Sequence, residues 1–227
     1  MNNLLPTDYQ AFIHTSRYAR WIEDEGRRES WTETVGRYMD NVVKPNVTRA
    51  IANENVIDEI EQAILNLDVM PSMRALMTAG KALSRDNTAG YNCSYTPIDH
   101  IRCFDEVLFI LLCGTGVGFS VEKKYVDSLP IVPRLIDVEY PITVADSKEG
   151  WATGYRELIS ELYAGRIPTW DVSAVRPAGA RLETFGGRAS GAEPLVELFQ
   201  HTINTFISKQ GSKLSSLDVH SIMCMIG

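Results

Sequence analysis

An apolar segment that leads directly into a glycine-rich one is the feature that most constrains the fold. Residues 104–112 are apolar on nearly every side, which predicts a deeply buried helix over residues 100–113. Asp99 is expected to be its N-cap and Gly114 to end it. Residues 114–121 then predict a tight turn that continues into a strand. Their three glycines allow a ligand to approach the backbone closely, although a helix stop followed by a turn explains them equally well.

Strand and helix patterns alternate after a helical N-terminal part. Aromatic and aliphatic residues recur every three or four positions between residues 7 and 67, which predicts amphipathic helices there. Beyond that part, we expect strands at residues 91–95, 131–140 and 169–173, and helices at residues 148–164, 194–209 and 216–226. This alternation favours an α/β domain with a mainly parallel sheet.

The composition excludes several classes of protein. The chain has 227 residues and a formal net charge of −7, which argues against broad, charge-driven binding of nucleic acid. No apolar run reaches the roughly 18 residues of a membrane helix, and the start lacks a secretory signal pattern, so we expect a cytoplasmic protein without a membrane partner. The four cysteines form no CxxC pair, so neither a disulfide scaffold nor a structural zinc site is expected.

Cys93 is the cysteine whose position favours a chemical role. A single cysteine in a short strand is most often a small buried hydrophobic residue. Cys93, however, follows a polar, glycine-containing loop at residues 84–90, and α/β proteins place their chemistry where strands meet loops. Cys103 and Cys113 are about 15 Å apart along one helix, beyond disulfide reach, and are expected in the core, as is Cys224.

The remaining patterns carry little functional signal. The glycine turn lacks the last glycine of a dinucleotide-binding GxGxxG pattern, because Phe119 stands in its place. A second glycine-rich segment at residues 184–191 is compatible with tight packing or with a ligand. The four histidines have no HxxxH or HExxH spacing, so the sequence predicts no metal-ligating residue.

Several motifs, taken in order, resemble the catalytic subunit of ribonucleotide reductase. The first three match the first half of that subunit, and the later ones are similar to its adenosylcobalamin-dependent, class II branch, especially the monomeric ribonucleoside-triphosphate reductases. They lie at residues 70–80, 92–93, 114–121, 148–151, 176–180 and 185–191.

The resemblance implies a fold and a chemistry. The fold is an α/β fold in which an N-terminal helical region, residues 1–69, is followed by the first half of a ten-stranded α/β barrel, residues 70–227. In this family a thiyl radical abstracts the ribose 3′ hydrogen and the 2′ hydroxyl leaves as water. Two further cysteines supply the electrons by forming a disulfide, and Cys93 matches the first of them.

The resemblance also implies ligands and partners. Asp99 and His100 match the region that holds a deoxynucleotide effector, with Lys123 or Lys124 nearby as its basic partner. The cofactor is adenosylcobalamin, the substrate is a ribonucleoside triphosphate or diphosphate, and the reductant is of the thioredoxin type. The positions that match substrate contacts are Ser72, Met73, Asn92 and Gly116.

The chain ends at Gly227, where the family continues into the second half of the barrel. We therefore expect an N-terminal piece without turnover of its own, which associates with a complementary C-terminal half because a half-barrel exposes a sheet edge and an apolar interior. Two alternatives stay open: a catalytically inactive nucleotide-binding or regulatory half-barrel, and a fragment of a class I large subunit, which requires a separate radical-generating protein.

Overall fold

A computed structural model describes residues 5–50, 54–182 and 187–227. The chain forms two compact units, Met1–Asn92 and Cys93–Gly227. The motifs of the resemblance predict a domain boundary between residues 69 and 70. In the structure, residues 70–92 lie in the first unit. The assignment of residues 70–227 to a half-barrel stays a prediction.

The first unit is mainly helical, as the periodicity predicts. Two wider helical turns, His14–Tyr18 and Met39–Val43, extend its first two helices, and a 3-10 turn, Asn87–Gly90, ends the unit. A short antiparallel hairpin was not predicted, because its strands have only two residues each. The elements are α1 Asp8–Ile13, β1 Trp21–Ile22, β2 Arg27–Arg28, α2 Trp31–Tyr38, α3 Lys44–Ala50, α4 Glu54–Leu65, α5 Met73–Thr78 and α6 Lys81–Arg85.

The core of the first unit surrounds helix α2. Ser30 and Glu33 form a capping box that fixes the start of this helix, and Trp31 and Val35 are buried on its inner face. Beside them, Arg37 forms an ion pair with Glu29, with Nε 2.7 Å from Oε1. The same guanidinium donates to two backbone carbonyls around the end of α5, so a buried charge network ties α2 to α5.

The second unit alternates strands and helices. Strand β3 pairs in parallel with β4, and β5 pairs in parallel with β6. A helix connects the strands of each pair, as parallel pairing requires. The elements are β3 Cys93–Pro97, α7 Cys103–Leu112, β4 Gly116–Ser120, α8 Lys123–Val126, β5 Ile136–Thr143, α9 Lys148–Tyr163, β6 Arg166–Asp171, α10 Glu193–Ile207 and α11 Ser216–Ile226.

The predicted mixture of helices and parallel strands is confirmed, with shifted boundaries. In the part of the chain that the structure describes, the strands form three separate two-stranded sheets. Strand β5 begins at Ile136 instead of residue 131, because the backbone of Val132 bonds to Gly211 and Ser212 in the loop after α10. Among the described helices, none has both the length and the apolar character needed to cross a bilayer.

The core of the second unit lies between α7, α9 and α10. Tyr155 stacks on Phe199 with 6.0 Å between ring centroids, and Trp170 of β6 meets the same ring edge-on. The Tyr155 hydroxyl lies 3.0 Å from Thr202 Oγ1, so its buried polar atom has a partner. This packing fixes the connection α9–β6–α10 against the helix that joins β3 to β4.

Candidate active site

The parallel pair β3–β4 places Cys93 beside bare backbone. Cys93 is the register partner of Gly116, and Tyr95 is the partner of Gly118. In a parallel pair, register partners point to the same face of the sheet. All four of these residues are exposed, whereas Val117 is only partly exposed and packs towards the core. The result is an open face on which β3 carries one thiol and one aromatic ring, each opposite a glycine of β4.

The thiol of Cys93 is free and exposed. The common alternative for a lone strand cysteine, burial in a packed layer, is therefore excluded for this residue. Ser94, the next residue, points to the other face, where its hydroxyl donates to the Gly116 carbonyl at 3.1 Å. This bond fixes the start of β4 against β3 next to the thiol. A ligand on the open face could reach both the sulfur and the backbone of Gly116.

The turn before β4 depends on Gly114. This residue has φ +82°, a left-handed conformation that glycine adopts without strain, and it ends α7 as predicted. Cys113, just before it, is buried, as is Cys103 at the other end of the helix, so both predictions of core positions are confirmed. Cys113 Sγ also accepts a hydrogen bond from Lys148 Nζ at 3.0 Å, which links the turn to the start of α9.

Cys224 does not lie in the core. The structure exposes this residue on α11, although its neighbours Ile222 and Met223 are buried. The prediction that it packs in the core was wrong, because the apolar tail of the sequence hides the helical periodicity that turns Cys224 outward. Its Sγ lies 3.6 Å from His220 Nδ1, one turn earlier on the same helix.

Asp99 and His100 lie in the turn between β3 and α7. Asp99 is not the N-cap of this helix, because α7 begins at Cys103 and Arg102 occupies the cap position without a side-chain hydrogen bond. Asp99 Oδ1 lies 3.8 Å from His100 Nε2 and 3.8 Å from Cys103 Sγ. The structure therefore brings both predicted effector residues together, in the company of a cysteine that the sequence analysis placed in the core.

The two lysines considered as basic partners of the effector have local partners. Lys123 pairs with Asp127 one turn later on the chain, and Lys124 pairs with Glu122 at 3.2 Å. Both lysine side chains are largely exposed. Their geometry does not distinguish between them, so the choice stays open.

Three predicted substrate contacts belong to the first unit. Ser72 caps α5, with its Oγ accepting from the Ala75 amide at 3.0 Å, and its hydroxyl hydrogen remains available for donation. Met73 is the first residue of α5, and its side chain is exposed. Asn92 is exposed and precedes Cys93 in the chain. Within the second unit, the structure brings Gly116 next to Cys93, as described above.

A groove of about 380 Å³ lies between α7 and α9. At its base, the carboxylate of Asp105 is almost fully buried and accepts bonds from Arg102 and from Arg156, each at 2.9 Å. Phe109 and Ile110 line its apolar wall and are only partly buried, so α7 is less deeply buried than predicted. The spacing of Arg102 and Asp105 could have suggested their pairing. Nothing in the sequence pattern points to Arg156.

The second glycine-rich segment is described in part, since residues 184–186 lie outside the described residues. On either side of this gap, the backbones of Arg181 and Arg188 form an isolated antiparallel β-bridge. A Cβ on Gly191 would lie 3.1 Å from the Ala178 amide nitrogen. At Gly191 the structure therefore favours tight packing over a ligand.

Comparison with known proteins adds the family relationship. Residues 132–207 match the family model of the insertion domain of B12-dependent ribonucleotide reductase, a span that contains β5, α9, β6 and α10. The sequence motifs do not distinguish this insertion from the half-barrel.

The relatives extend the similarity to most of the chain. The adenosylcobalamin-dependent ribonucleoside-triphosphate reductases of Lactobacillus helveticus and Lacticaseibacillus paracasei are each 26% identical over 92% of the chain. The chain spans only 38% and 37% of their respective lengths. A crystal structure of a B12-dependent, class II ribonucleotide reductase has the same fold, with a TM-score of 0.84 and 23% identity over 95% of this chain and 39% of that one. The motifs, the fold and the relatives agree that this chain is similar, over most of its length, to the N-terminal portion of the class II, adenosylcobalamin-dependent ribonucleotide reductases.

Proposed function

We propose that this chain is the N-terminal part of a cytoplasmic, adenosylcobalamin-dependent ribonucleoside-triphosphate reductase, which makes deoxyribonucleotides for DNA synthesis. The observation that carries the proposal is the exposed thiol of Cys93 beside Gly116, on the open face of β3–β4. The sequence motif gives the same cysteine the role of a reductant. A buried sulfur could not serve a nucleotide substrate, whereas this one is accessible.

Cys93 supplies half of the reducing equivalents in this proposal. The ribose carbon loses its hydroxyl as water and gains a hydrogen, while two thiols lose two electrons and two protons and become a disulfide. Cys103 and Cys113 are buried, so neither is suited to be the second thiol. We assign that thiol to the complementary C-terminal part, and the thioredoxin-type reductant restores both thiols after each turnover.

The substrate contacts are the positions that match the family motifs: Ser72, Met73, Asn92 and Gly116. Gly116 lets the ribose approach the strand without a side chain between them. Asn92 and the Ser72 hydroxyl are hydrogen-bonding groups suited to sugar or phosphate oxygens, and Met73 contributes its backbone. Asp99 and His100 hold the deoxynucleotide effector.

The cofactor enters only through the complete enzyme. Adenosylcobalamin supplies the radical that starts the reaction when it is bound. The motifs of this chain match substrate and effector contacts only, so we assign no residue of this chain to the cofactor. The radical cysteine and the partner of Cys93 belong to the complementary part in this proposal.

The test uses the enzyme assembled from this chain and its complementary C-terminal part. Deoxynucleotide formation is measured with adenosylcobalamin, a ribonucleoside triphosphate and a dithiol. Cys93→Ser should abolish product formation while nucleotide binding persists. Cys224→Ser is the matched control, because it removes the other exposed thiol, and it should leave the rate unchanged.

Three results would overturn the proposal. Full activity of the Cys93→Ser enzyme would exclude a reducing role for this cysteine. Nucleotide binding without any reduction by the wild-type assembly would favour the regulatory half-barrel instead. Reduction that requires a separate radical-generating protein and ignores adenosylcobalamin would indicate a class I subunit.

A further inference from the structure

We propose that Asp99, His100 and Cys103 form a binding site for a divalent transition metal of the zinc class. The sequence predicted no metal ligand, because these residues match no established spacing. The fold nevertheless brings one carboxylate oxygen, one imidazole nitrogen and one sulfur to within 4.8 Å of one another. These are the three ligand types that protein zinc sites use.

The junction between β3 and α7 creates this convergence. Strand β3 ends at Pro97, and the chain turns so that the Cys103 amide donates to the His100 carbonyl at 3.1 Å. The turn carries the side chain of Asp99 back over the first residue of the helix. Cys103 Sγ donates to the Pro97 carbonyl at 3.3 Å, which holds the sulfur at the base of the cluster.

The separations are close to those that a tetrahedral metal needs. Metal–sulfur and metal–nitrogen or –oxygen distances of about 2.3 and 2.0–2.1 Å place neighbouring ligand atoms about 3.3–3.6 Å apart. Asp99 Oδ1 lies 3.8 Å from both His100 Nε2 and Cys103 Sγ. A small side-chain adjustment is enough to close the set, and the exposed His100 is free to make it, since 54% of its side chain is accessible.

The burial of the three ligands is graded. Cys103 is fully buried, Asp99 is half-buried and His100 is exposed. Such a site is closed on the protein side and open to solvent, so a metal with three protein ligands keeps a position for water or another ligand. Burial raises the pKa of the Cys103 thiol, so binding of the metal must displace its proton.

The ligand chemistry selects the class of metal. A thiol and an imidazole suit zinc and its neighbours, whereas magnesium and calcium prefer oxygen ligands alone. Arg102, the nearest cationic residue in the sequence, forms its ion pair with Asp105. It therefore does not neutralise the carboxylate of Asp99, which can bind a metal. If Asp99 and His100 also hold the effector, as the proposed function has it, metal and nucleotide compete for these side chains.

The experiment measures metal binding by the reduced 227-residue chain without nucleotide. Cobalt(II) serves as a spectroscopic substitute for zinc, because bound thiolate gives a charge-transfer absorption that zinc abolishes when it displaces cobalt. One cobalt per chain with this absorption is expected. Cys103→Ala should lose the absorption, and His100→Ala and Asp99→Asn should each weaken binding by at least the tenfold or so that loss of an outer-shell partner costs.

The matched controls remove the other cysteine–histidine pair. Cys224→Ser and His220→Ala eliminate two potential ligands that lie 3.6 Å apart on α11 and should leave the cobalt spectrum unchanged. Loss of the absorption in these controls, with its retention in Cys103→Ala, would overturn the assignment. So would the absence of any thiolate absorption in the wild-type chain. Because His100 is exposed, His100→Ala keeps the test valid even if Cys103→Ala fails to fold.

Discussion

Cys93 and Gly116 are register partners in the parallel pair β3–β4, so the thiol stands beside a position that has no side chain. Both residues are exposed, and the following pair, Tyr95 and Gly118, repeats the arrangement on the same face. A small residue opposite the cysteine keeps the sulfur accessible from the side as well as from above. The accessibility of Cys93 therefore depends on a residue 23 positions later in the chain.

Thiol labelling should divide the four cysteines into two pairs. In the native, reduced chain, an alkylating reagent should modify Cys93 and Cys224 rapidly, because both are exposed. Cys103 and Cys113 should react only after denaturation. Peptide mass spectrometry at successive times measures each rate. Gly116→Val should slow the reaction of Cys93 and leave that of Cys224 unchanged, whereas equal slowing of both would indicate a general structural effect.

The buried hydroxyl of Tyr155 should contribute measurably to stability. Tyr155→Phe removes its hydrogen bond with Thr202 and should lower the free energy of unfolding by about 0.5–1.5 kcal/mol. Urea denaturation measures this change. Tyr140→Phe makes the same chemical change at an exposed residue bonded to Glu157 and should cost less than about 0.5 kcal/mol. Equal losses at the two positions would contradict the role of burial.

Glu29 should make the stability of the first unit depend on pH. Burial by itself would raise the pKa of Glu29, but hydrogen bonds from Arg37 and from the Arg20 backbone outweigh it and lower the pKa. The unfolded chain then takes up a proton at higher pH than the folded chain, so the stabilisation is complete above about pH 4.3 and is lost as the pH falls below that value. Burial lowers the pKa of His14, so the unfolded chain again takes up a proton first. Protonation of this histidine therefore reduces stability as the pH falls below about 6.5.

Glu29→Gln tests this linkage. It should lower the free energy of unfolding by about 1.5–3 kcal/mol at pH 7 and weaken the pH dependence below about pH 4.3, where Glu33, whose pKa is also lowered, still contributes. Urea midpoints measured between about pH 3 and about pH 8, a range that brackets both transitions, provide the comparison. Glu25→Gln breaks an exposed ion pair with Arg27 and should have little effect. An unchanged pH profile in Glu29→Gln would show that Glu29 is not the group responsible.

Two glycine-to-alanine changes on helices should have opposite signs. A Cβ on Gly150, in the first turn of α9, would lie 2.8 Å from the Ala145 carbonyl carbon and closer still to its oxygen. Gly150→Ala should therefore destabilise the second unit by about 1–3 kcal/mol. Gly36→Ala adds a methyl group to α2 where nothing lies within 4 Å and should stabilise the first unit by about 0.5–1 kcal/mol. Thermal or urea denaturation that gives the same sign for both changes would contradict this account.

Helix boundaries in the second unit could be predicted well from the sequence. Helix α11 has the bounds that were expected, residues 216–226, and α9 and α10 differ from expectation by at most two residues at either end. Their caps and apolar periodicity are local properties, and Ser147 and Ser215 do cap α9 and α11. The position of α7 was less accurate, because Asp99 resembles a cap in the sequence but turns towards His100 and Cys103 in the structure.

By itself, the sequence determined the helical N-terminal part, the alternation of strands and helices, and the motif that singles out Cys93. Each of these is read from local stretches of sequence, taken in their order along the chain. The tertiary structure decided which residues meet: Gly116 lies beside Cys93, and Arg156 bonds to the carboxylate of Asp105, a residue 51 positions earlier in the chain. It also decided that Cys224 lies on the exposed side of its helix. Strand register and helix packing bring together residues that are distant in the chain, and hydrophobic periodicity carries no information about which distant residue each one will contact.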